Sequence, residues 1–418
     1  MILDSKLDME KFIPNKQFRR VFRAVEKHGG VLRFVGGAVR DALAGVEGYD
    51  YDLATDLSPD ELMEACNDEG IKTVPIGIKF GTLGVMVNDK LIEITSLRKD
   101  IKTDGRHAEV EFTDDWLEDA ARRDLTINAV YADEKGNVFD YFNGIEDLKN
   151  GIIHFIGKPE QRIEEDYLRI LRFFRFYSKF GKTAIDEKAL NACIKNKDNL
   201  KKLSIERIRD ELIKLARTKN FAKTLKIMFD NGILDYVMPP SNNLDKLQHL
   251  IDMVSDLKIE PSVLRRLFIL YNPNDHLAGN LADRMHLSKK HREYLMRLAK
   301  VECKANDFNN NNFIRELIYR YDKDFCLDKL LIAYALEKKN WQNVPDILKK
   351  IQNMQIPSFP VRGQDIVGLA KIPEKFVGVI IHSLENYWIS HEFAPNKDNL
   401  LKVAESMFIS LINIHHHG

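Results

Sequence analysis

The spacing of apolar residues changes once along the chain, near Pro159, and this change constrains the fold more than any single motif. Before it, short apolar runs are separated by Gly and Asp: VLRFVGG, YDLAT, GTLGVMV, LIEITSL and NVFDYF. Runs of this length between turn residues read as strands, and Asn88-Asp89 between two of them marks a hairpin. Helical patterns interrupt them at Ala38–Leu43 and Pro59–Cys66, the second opened by Ser58 with Glu61 three residues on, the spacing of a capping box. From Pro159 onward apolar residues recur at i, i+3 and i+4, over segments that include 160–180, 187–194, 204–217, 220–231, 243–257, 311–319 and 341–353. Gly181, Gly232, Pro239-Pro240, Pro261, Asn272-Pro273 and Pro357 punctuate them, and the run Asn309–Asn312 reads as a loop. The expected class is α+β. A small head with a mixed, at least partly antiparallel sheet occupies 1–150, followed by a helical neck (151–220), body (221–310) and tail (311–418).

Charge narrows the class of partner. The 418 residues carry 63 basic and 63 acidic side chains, a formal net charge of zero. That excludes a protein that holds polyanions by bulk charge, but not one with a local basic stripe. A hydrophobic fraction of 44% excludes wholesale disorder. Cys66, Cys193, Cys303 and Cys326 are scattered without zinc spacing, as expected of isolated thiols in a reducing cytosol. No apolar run approaches the roughly 18 residues that span a bilayer, and MILDSKLDMEKF has no apolar signal core. A cytoplasmic protein without membrane contact or an obligatory protein partner is expected. The terminal His415-His416-His417-Gly418 is given no functional weight.

Chemistry concentrates in residues 34–56, FVGGAVRDALAGVEGYDYDLATD. An apolar run ends at Gly36-Gly37 and a helix-like stretch starts at once. Glycines let the backbone approach a ligand, and a helix start offers N–H groups to phosphate; a plain tight turn accounts for the pair equally well. Arg40 lies within reach of the same anion. Asp50 and Asp52, two apart on a strand, point to one face. Their mutual repulsion is relieved by a cation between them, and magnesium takes carboxylate and phosphate oxygens together. Glu93, on a neighbouring strand with Leu91 and Thr95, is either a third carboxylate or a solvent-facing side chain.

Two arginine clusters follow. In Arg122-Arg123-Asp124-Leu125-Thr126-Ile127-Asn128, the consecutive arginines are expected to point apart, at most one clamping a ligand and the other bracing a carboxylate; a surface ion pair is the alternative. On the expected helix 160–180, Asp166, Arg169, Arg172 and Arg175 recur every three residues and form a slowly drifting stripe. Arginines stacked with one acid repel unless they face an anion such as a triphosphate or an RNA backbone; a solvated helix face is the alternative.

The series VGGAVRD, YDYDLAT, TDGRHAEVEF, ARRDLTINA, EEDYLRILRFFRF and ERIRDEL resembles the class II tRNA nucleotidyltransferases and bacterial poly(A) polymerases of the DNA polymerase β superfamily. The match covers residues 30–220, and FPVRGQDIVGL with LENYWI extends it towards the C-terminus. No HxxxHD motif is present. The resemblance implies a nucleotidyltransferase head, with Asp50 and Asp52 as Mg²⁺ ligands and Glu93 beside them. It implies a triphosphate loop of Gly36, Gly37 and Arg40, assisted by Arg122 or Arg123, with Asp124 and Asn128 in the same nucleotide-binding group. Glu165, Asp166 and Arg169 fall on the nucleotide-selecting motif of the neck, and Arg172 and Arg175 lie along the triphosphate or primer. Body and tail would bind the tRNA acceptor arm. Phe80 stands where the family pattern suggests a histidine. The polar stretch Arg98–Arg106 reads as a flexible loop of the kind that helps such enzymes switch from C to A addition.

The resemblance also supplies a selection rule. Ionised Asp166 only accepts and Arg169 only donates. Cytosine and adenine each present an amine beside a ring nitrogen and complement the pair, whereas guanine and uracil present a carbonyl to the carboxylate. The expected activity is addition of CCA to the 3′ end of tRNA from CTP and ATP. A poly(A) polymerase, a CC- or A-specialised enzyme and a non-catalytic helical RNA-binding protein are the alternatives.

Overall fold

The computed structural model describes residues 2–13, 18–104, 107–369 and 372–415. The chain forms two compact units, one running to Gln248 with Leu281–Ser288 added, the other comprising His249–Asn280 and the chain from Lys289.

The head elements are β1 (Ile2–Lys6), α1 (Met9–Phe12), α2 (Arg19–Lys27), β2 (Leu32–Val35), α3 (Gly37–Leu43), β3 (Asp52–Thr55), α4 (Pro59–Asp68), β4 (Thr73–Gly77), β5 (Thr82–Val87), β6 (Lys90–Ser96), β7 (Arg98–Asp104), β8 (His107–Phe112), α5 (Trp116–Ala121), β9 (Val130–Ala132), β10 (Asn137–Asp140) and α6 (Gly144–Asn150). Eight strands make one sheet in the order β1-β10-β9-β2-β3-β6-β5-β4. Its pairs are antiparallel except β3 with β6, so the sheet is mixed. Alternation sends Phe34, Leu53, Leu83, Val85, Ile92 and Ile94 to one face, where Val21, Phe22 and Val25 of α2 and Leu62, Ala65 and Cys66 of α4 cover them. Val35, Ala54 and Tyr131 face the other side and pack with Leu97, Trp116 and Ala120.

Local signals hold where they were strongest. Ser58 and Glu61 form the reciprocal capping box at the start of α4, a contribution of about 1 kcal/mol. Asn88 and Asp89 both take positive φ, 46° and 62°, as a tight hairpin turn between β5 and β6 requires. The stretch Arg98–Arg106 departs from the expected loop. Residues 98–104 form β7, which pairs with β8 in a separate two-stranded sheet, while Gly105 and Arg106 lie outside the described residues. A charged stretch makes a ribbon here because its backbone groups pair with each other rather than with a core.

The expected helix 160–180 is two helices, α7 (Pro159–Glu165) and α8 (Leu168–Phe180). Asp166 is extended, with φ −157° and ψ 109°, and its carboxylate accepts from the Leu168 N–H at 3.1 Å. A local side-chain bond of this kind competes with helix continuation, and apolar periodicity does not register it. Next come α9 (Glu187–Asn196), α10 (Ile205–Ala216) and α11 (Phe221–Asp230). Phe155 and Phe173 stack at 5.3 Å, anchoring α8 to the segment that leaves the head.

In the second unit, the helix Lys323–Leu336 is buried on nearly every side. It carries Asp328 and Lys329 inside, held by Arg265 at 2.8 Å, by the Tyr294 hydroxyl at 2.8 Å and by the Leu298 carbonyl at 3.1 Å. Near the C-terminus, Ile380, Leu384 and Trp388 pack with Leu400, Ala404 and Phe408. The asparagine run is a helix boundary rather than a loop, since Asn310 accepts from the Asn312 N–H and caps Asn311–Arg320. His415 closes the last helix, and His416, His417 and Gly418 lie outside the described residues. Among the described residues no helix is long and apolar enough to cross a membrane.

Candidate active site

Strand register brings the glycine turn and the acids together. Val35 pairs with Asp52, and Asp52 pairs in parallel with Glu93. Gly36 follows Val35 at once, so the turn, Asp52 and Glu93 lie side by side across three adjacent strands. Gly36 has φ 68° and ψ −119°, a conformation open to glycine and strained for any L residue. Its N–H donates to the Val130 carbonyl at 3.1 Å, and its own carbonyl accepts from the Arg40 N–H at 3.0 Å, closing the first bond of α3. A Cβ on Gly36 would lie 3.6 Å from the Arg123 guanidinium, so that side chain sits against the turn.

β3 begins at Asp52, and Asp50 lies in the segment leading into it rather than on the strand. The two carboxylates still repel. Asp52 is pushed up to about 6, first by partial loss of solvent around its carboxylate, then by Asp50, then by Glu93, with Arg123 opposing. Among the described residues no group of three or more His, Cys, Asp or Glu side chains is placed to hold a metal ion by itself. Two carboxylates close enough to repel suit a hard cation that takes its remaining ligands from substrate and water.

Arg122 and Arg123 do not point apart. Both grip Asp119, Arg122 at 2.6 Å on one oxygen and Arg123 at 3.0 Å on the other, and the Tyr131 hydroxyl donates to the same carboxylate at 2.7 Å. At the end of α5, i+3 and i+4 from Asp119 lie on one face. Burial alone would raise the Asp119 carboxyl, but Arg123 and Arg122 overcome it and hold the group well below the usual range. Asp119 and Tyr131 escaped the sequence reading; the available signal was the three- and four-residue spacing of an acid before two arginines.

The neck arginines are likewise matched by acids. Arg172 donates to Asp124 at 2.6 Å and Arg175 to Glu211 of α10 at 2.6 Å, while Arg169 bonds to Glu165 and to the carbonyls of Arg162 and Arg122. The stripe therefore does not hold a row of uncompensated cations. Each guanidinium found a carboxylate from a distant or neighbouring segment, which spacing along one helix does not reveal. Asp166 receives Arg207 at 2.7 Å. Asn128 and Asp124 are buried and bonded to each other. Phe80 is 38% exposed at the end of a short 3-10 turn before β5.

Acids at a strand end beside a glycine turn, with an arginine-bearing helix against the same sheet, define a nucleotidyl-transferring head. Known proteins agree with that class. The family described as "Poly A polymerase head domain" matches residues 32–154, and "Probable RNA and SrmB- binding site of polymerase A" matches 184–244. The mouse mitochondrial CCA tRNA nucleotidyltransferase 1 is 36% identical over 90% of this chain and 86% of its own. A CCA-adding enzyme of Ligilactobacillus salivarius is 31% identical over 94% of this chain and 97% of its own. Among solved structures, the Bacillus stearothermophilus CCA-adding enzyme in complex with CTP has the same fold, with a TM-score of 0.75 at 22% identity, covering 96% of this chain and 99% of that one. The chain belongs to the family of CCA tRNA nucleotidyltransferases, the CCA-adding enzymes.

Proposed function

We infer that the protein adds CCA to the 3′ end of tRNA, using CTP and ATP and releasing pyrophosphate. The observation that carries this reading is the Asp50–Asp52 pair of carboxylates beside the Gly36-Gly37 turn, in a chain 36% identical to a CCA tRNA nucleotidyltransferase along most of its length.

Nucleotidyl transfer in this family depends on divalent metal ions. Asp50 and Asp52 would hold Mg²⁺ here, and the ion, when bound, supplies Lewis-acid stabilisation of phosphate charge and of the attacking 3′-oxygen. Glu93 adds negative charge on the same face. The amides of the first turn of α3 face the phosphates, with Arg122 or Arg123 beside them. Arg40 contributes its charge from behind the turn, since its guanidinium is already bonded within the protein. Charge developing on the leaving pyrophosphate meets donors already in place, which lowers the barrier without reorganisation.

Base choice rests on Asp166 and Arg169 in the neck, 151–220. Asp166 accepts from Leu168 and Arg207, and a carboxylate has about four acceptor positions, which leaves capacity for an amine of C or A. Body and tail, 221–310 and 311–418, bind the acceptor arm by shape and backbone contact. Four unbonded thiols, three of them buried, suit the cytoplasm, although relatives named mitochondrial include the mouse enzyme.

Purified protein incubated with tRNA lacking its 3′ end, Mg²⁺ and single labelled nucleotides is expected to incorporate CTP twice and ATP once, then stop. Long A tails would replace this reading with a poly(A) polymerase, and no incorporation would reject both. Asp166→Ala is expected to admit UTP or GTP at least about tenfold more readily relative to CTP, since a missing polar partner removes the penalty against a wrong edge. Retention of full C and A preference by that variant, with tRNA binding intact, would reject the selection rule.

A further inference from the structure

The sheet face that carries the acids continues past them towards the β4 edge. Val35, just before the glycine turn, lies opposite Asp52, and Asp52, Glu93, Gly84 and Val74 follow across β3, β6, β5 and β4, each paired with the next. Residues paired directly share a face, and by alternation Leu91 and its partner Met86 lie on it too. Ile76 joins them. A Cβ on Gly84 would meet the Ile76 side chain at 2.6 Å and the Leu91 side chain at 2.9 Å, so the two close over the glycine from either side. Ile76 is 45% exposed and Leu91 46%, next to an exposed Glu93. Two large aliphatic side chains thus face outward beside the acids, where an apolar surface with a polar rim marks a contact site. Lys72 and Lys79 on either side of β4, and Lys90 at the start of β6, are exposed as well.

We propose that Ile76 and Leu91, laid over Gly84, form the floor on which the 3′-terminal base of the RNA primer rests during addition. Nucleotidyl transfer needs the attacking and leaving oxygens roughly in line through the α-phosphorus. With the pyrophosphate at the glycine turn after β2 and the metal-binding acids around the start of β3, the 3′-hydroxyl arrives from the β6 side, across this surface. The floor's chemistry matches what the reaction asks of it. Three successive additions present the tRNA's own last base, then C, then C again at one place. Hydrogen bonds to a base edge would favour one of these and leave polar groups unmatched against the others. Apolar contact accepts the flat face of any base. Glycine at position 84 keeps the floor low, because a side chain there would push Ile76 and Leu91 apart. The flanking lysines suit an RNA backbone passing over the sheet edge. This inference rests on the chain being a CCA-adding enzyme.

The test measures CTP addition by the full-length protein to tRNA lacking CCA, with the terminal base either present or removed to leave an abasic nucleotide. The wild type is expected to lose about 5- to 100-fold in kcat/KM for tRNA when the base is removed, the span of one stacked base. Leu91→Ser and Ile76→Ser should each lose at least about fivefold on the intact primer, the scale of a lost aliphatic contact. On the abasic primer each should come within about twofold of the wild type, because the contact is already gone. Leu91→Met, which keeps an apolar floor, should stay within about threefold of the wild type on both primers, and KM for CTP should hold within about threefold throughout. Changing the terminal base among A, C, G and U should alter the wild-type rate by less than about tenfold. A serine variant that loses equally on both primers, or one that loses nothing, would overturn the proposal, as would a loss confined to KM for CTP or a terminal-base preference above tenfold. Should one serine variant fail to fold, the other decides alone. A wild type that adds no nucleotide overturns the functional reading and this inference with it; an active wild type whose losses are independent of the terminal base overturns the inference only.

Discussion

Asp52→Asn is expected to lower kcat for nucleotide addition by at least about a thousandfold, through loss of a charge that the transition state requires, while making the metal-free protein more stable. The two effects share one cause. In the wild type, loss of part of its solvent shell and then repulsion from Asp50 and Glu93 push the Asp52 carboxyl up to about 6 from 3.8. A folded state that binds its proton more tightly than the unfolded chain loses stability as pH rises from about 4 through about 6. Because the side chain is exposed at the strand end, solvent screens much of this repulsion, and the gain on neutralising it is about 1 kcal/mol. For a unit of this size that corresponds to about 2 to 4 °C in melting temperature. Thermal melts of both proteins at pH 7.5 or so, in chelator and in Mg²⁺, would measure it. The wild type should gain stability on adding Mg²⁺, by mass action, and the variant should gain little. Substantial residual activity, or an undiminished Mg²⁺ shift in Asp52→Asn, would remove Asp52 from the metal site.

The second large effect belongs to a residue that touches no substrate. Asp119→Ala is expected to cost about 3 to 5 kcal/mol, because it leaves two guanidiniums and a tyrosine hydroxyl in a buried site without their shared acceptor. Urea unfolding at neutral pH would give the value, and a loss below about 1 kcal/mol would show that the knot is dispensable. The same pairing sets the acid response. Asp119 and Asp124 are both held well below the usual carboxylate range against the cost of burial, the first by Arg123 and Arg122, the second chiefly by Arg172. Groups depressed in the folded state contribute fully above the unfolded pKa near 4 and lose that contribution as pH falls below it. Stability should therefore decline steeply under pH 4, with a shallower slope in Asp119→Asn.

Motif chemistry could be read in one dimension wherever the interacting groups are close in sequence. The Ser58–Glu61 box, the Asn88-Asp89 turn, the short strand runs and the long helical region all follow from neighbours within about four residues, whose geometry the backbone imposes. The strand runs that set the glycine turn beside Asp52 belong to the same legible set, although Asp50 lies ahead of the strand rather than on it. The resemblance to nucleotidyltransferases added an order of motifs that local physics alone would not have assembled.

Pairing across the chain was invisible for the opposite reason. A carboxylate attracts any guanidinium within a few ångströms, and nothing in its own neighbourhood says which one the fold will deliver. Arg172 found Asp124, 48 residues earlier, and Arg175 found Glu211, 36 residues later. The break at Asp166 depends on a side chain bonding to a backbone two residues on and on Arg207 arriving from α10. Asn128 illustrates the limit best. From sequence it belongs among the nucleotide contacts, and only packing of α3 and α8 on either side turns its amide inward to join Arg40 to Asp124. Residue types and short spacings thus decide the class of chemistry and the kind of elements, because those depend on local sterics and charge. Which charge answers which is settled by long-range packing, because burial makes an unmatched ion too costly to keep.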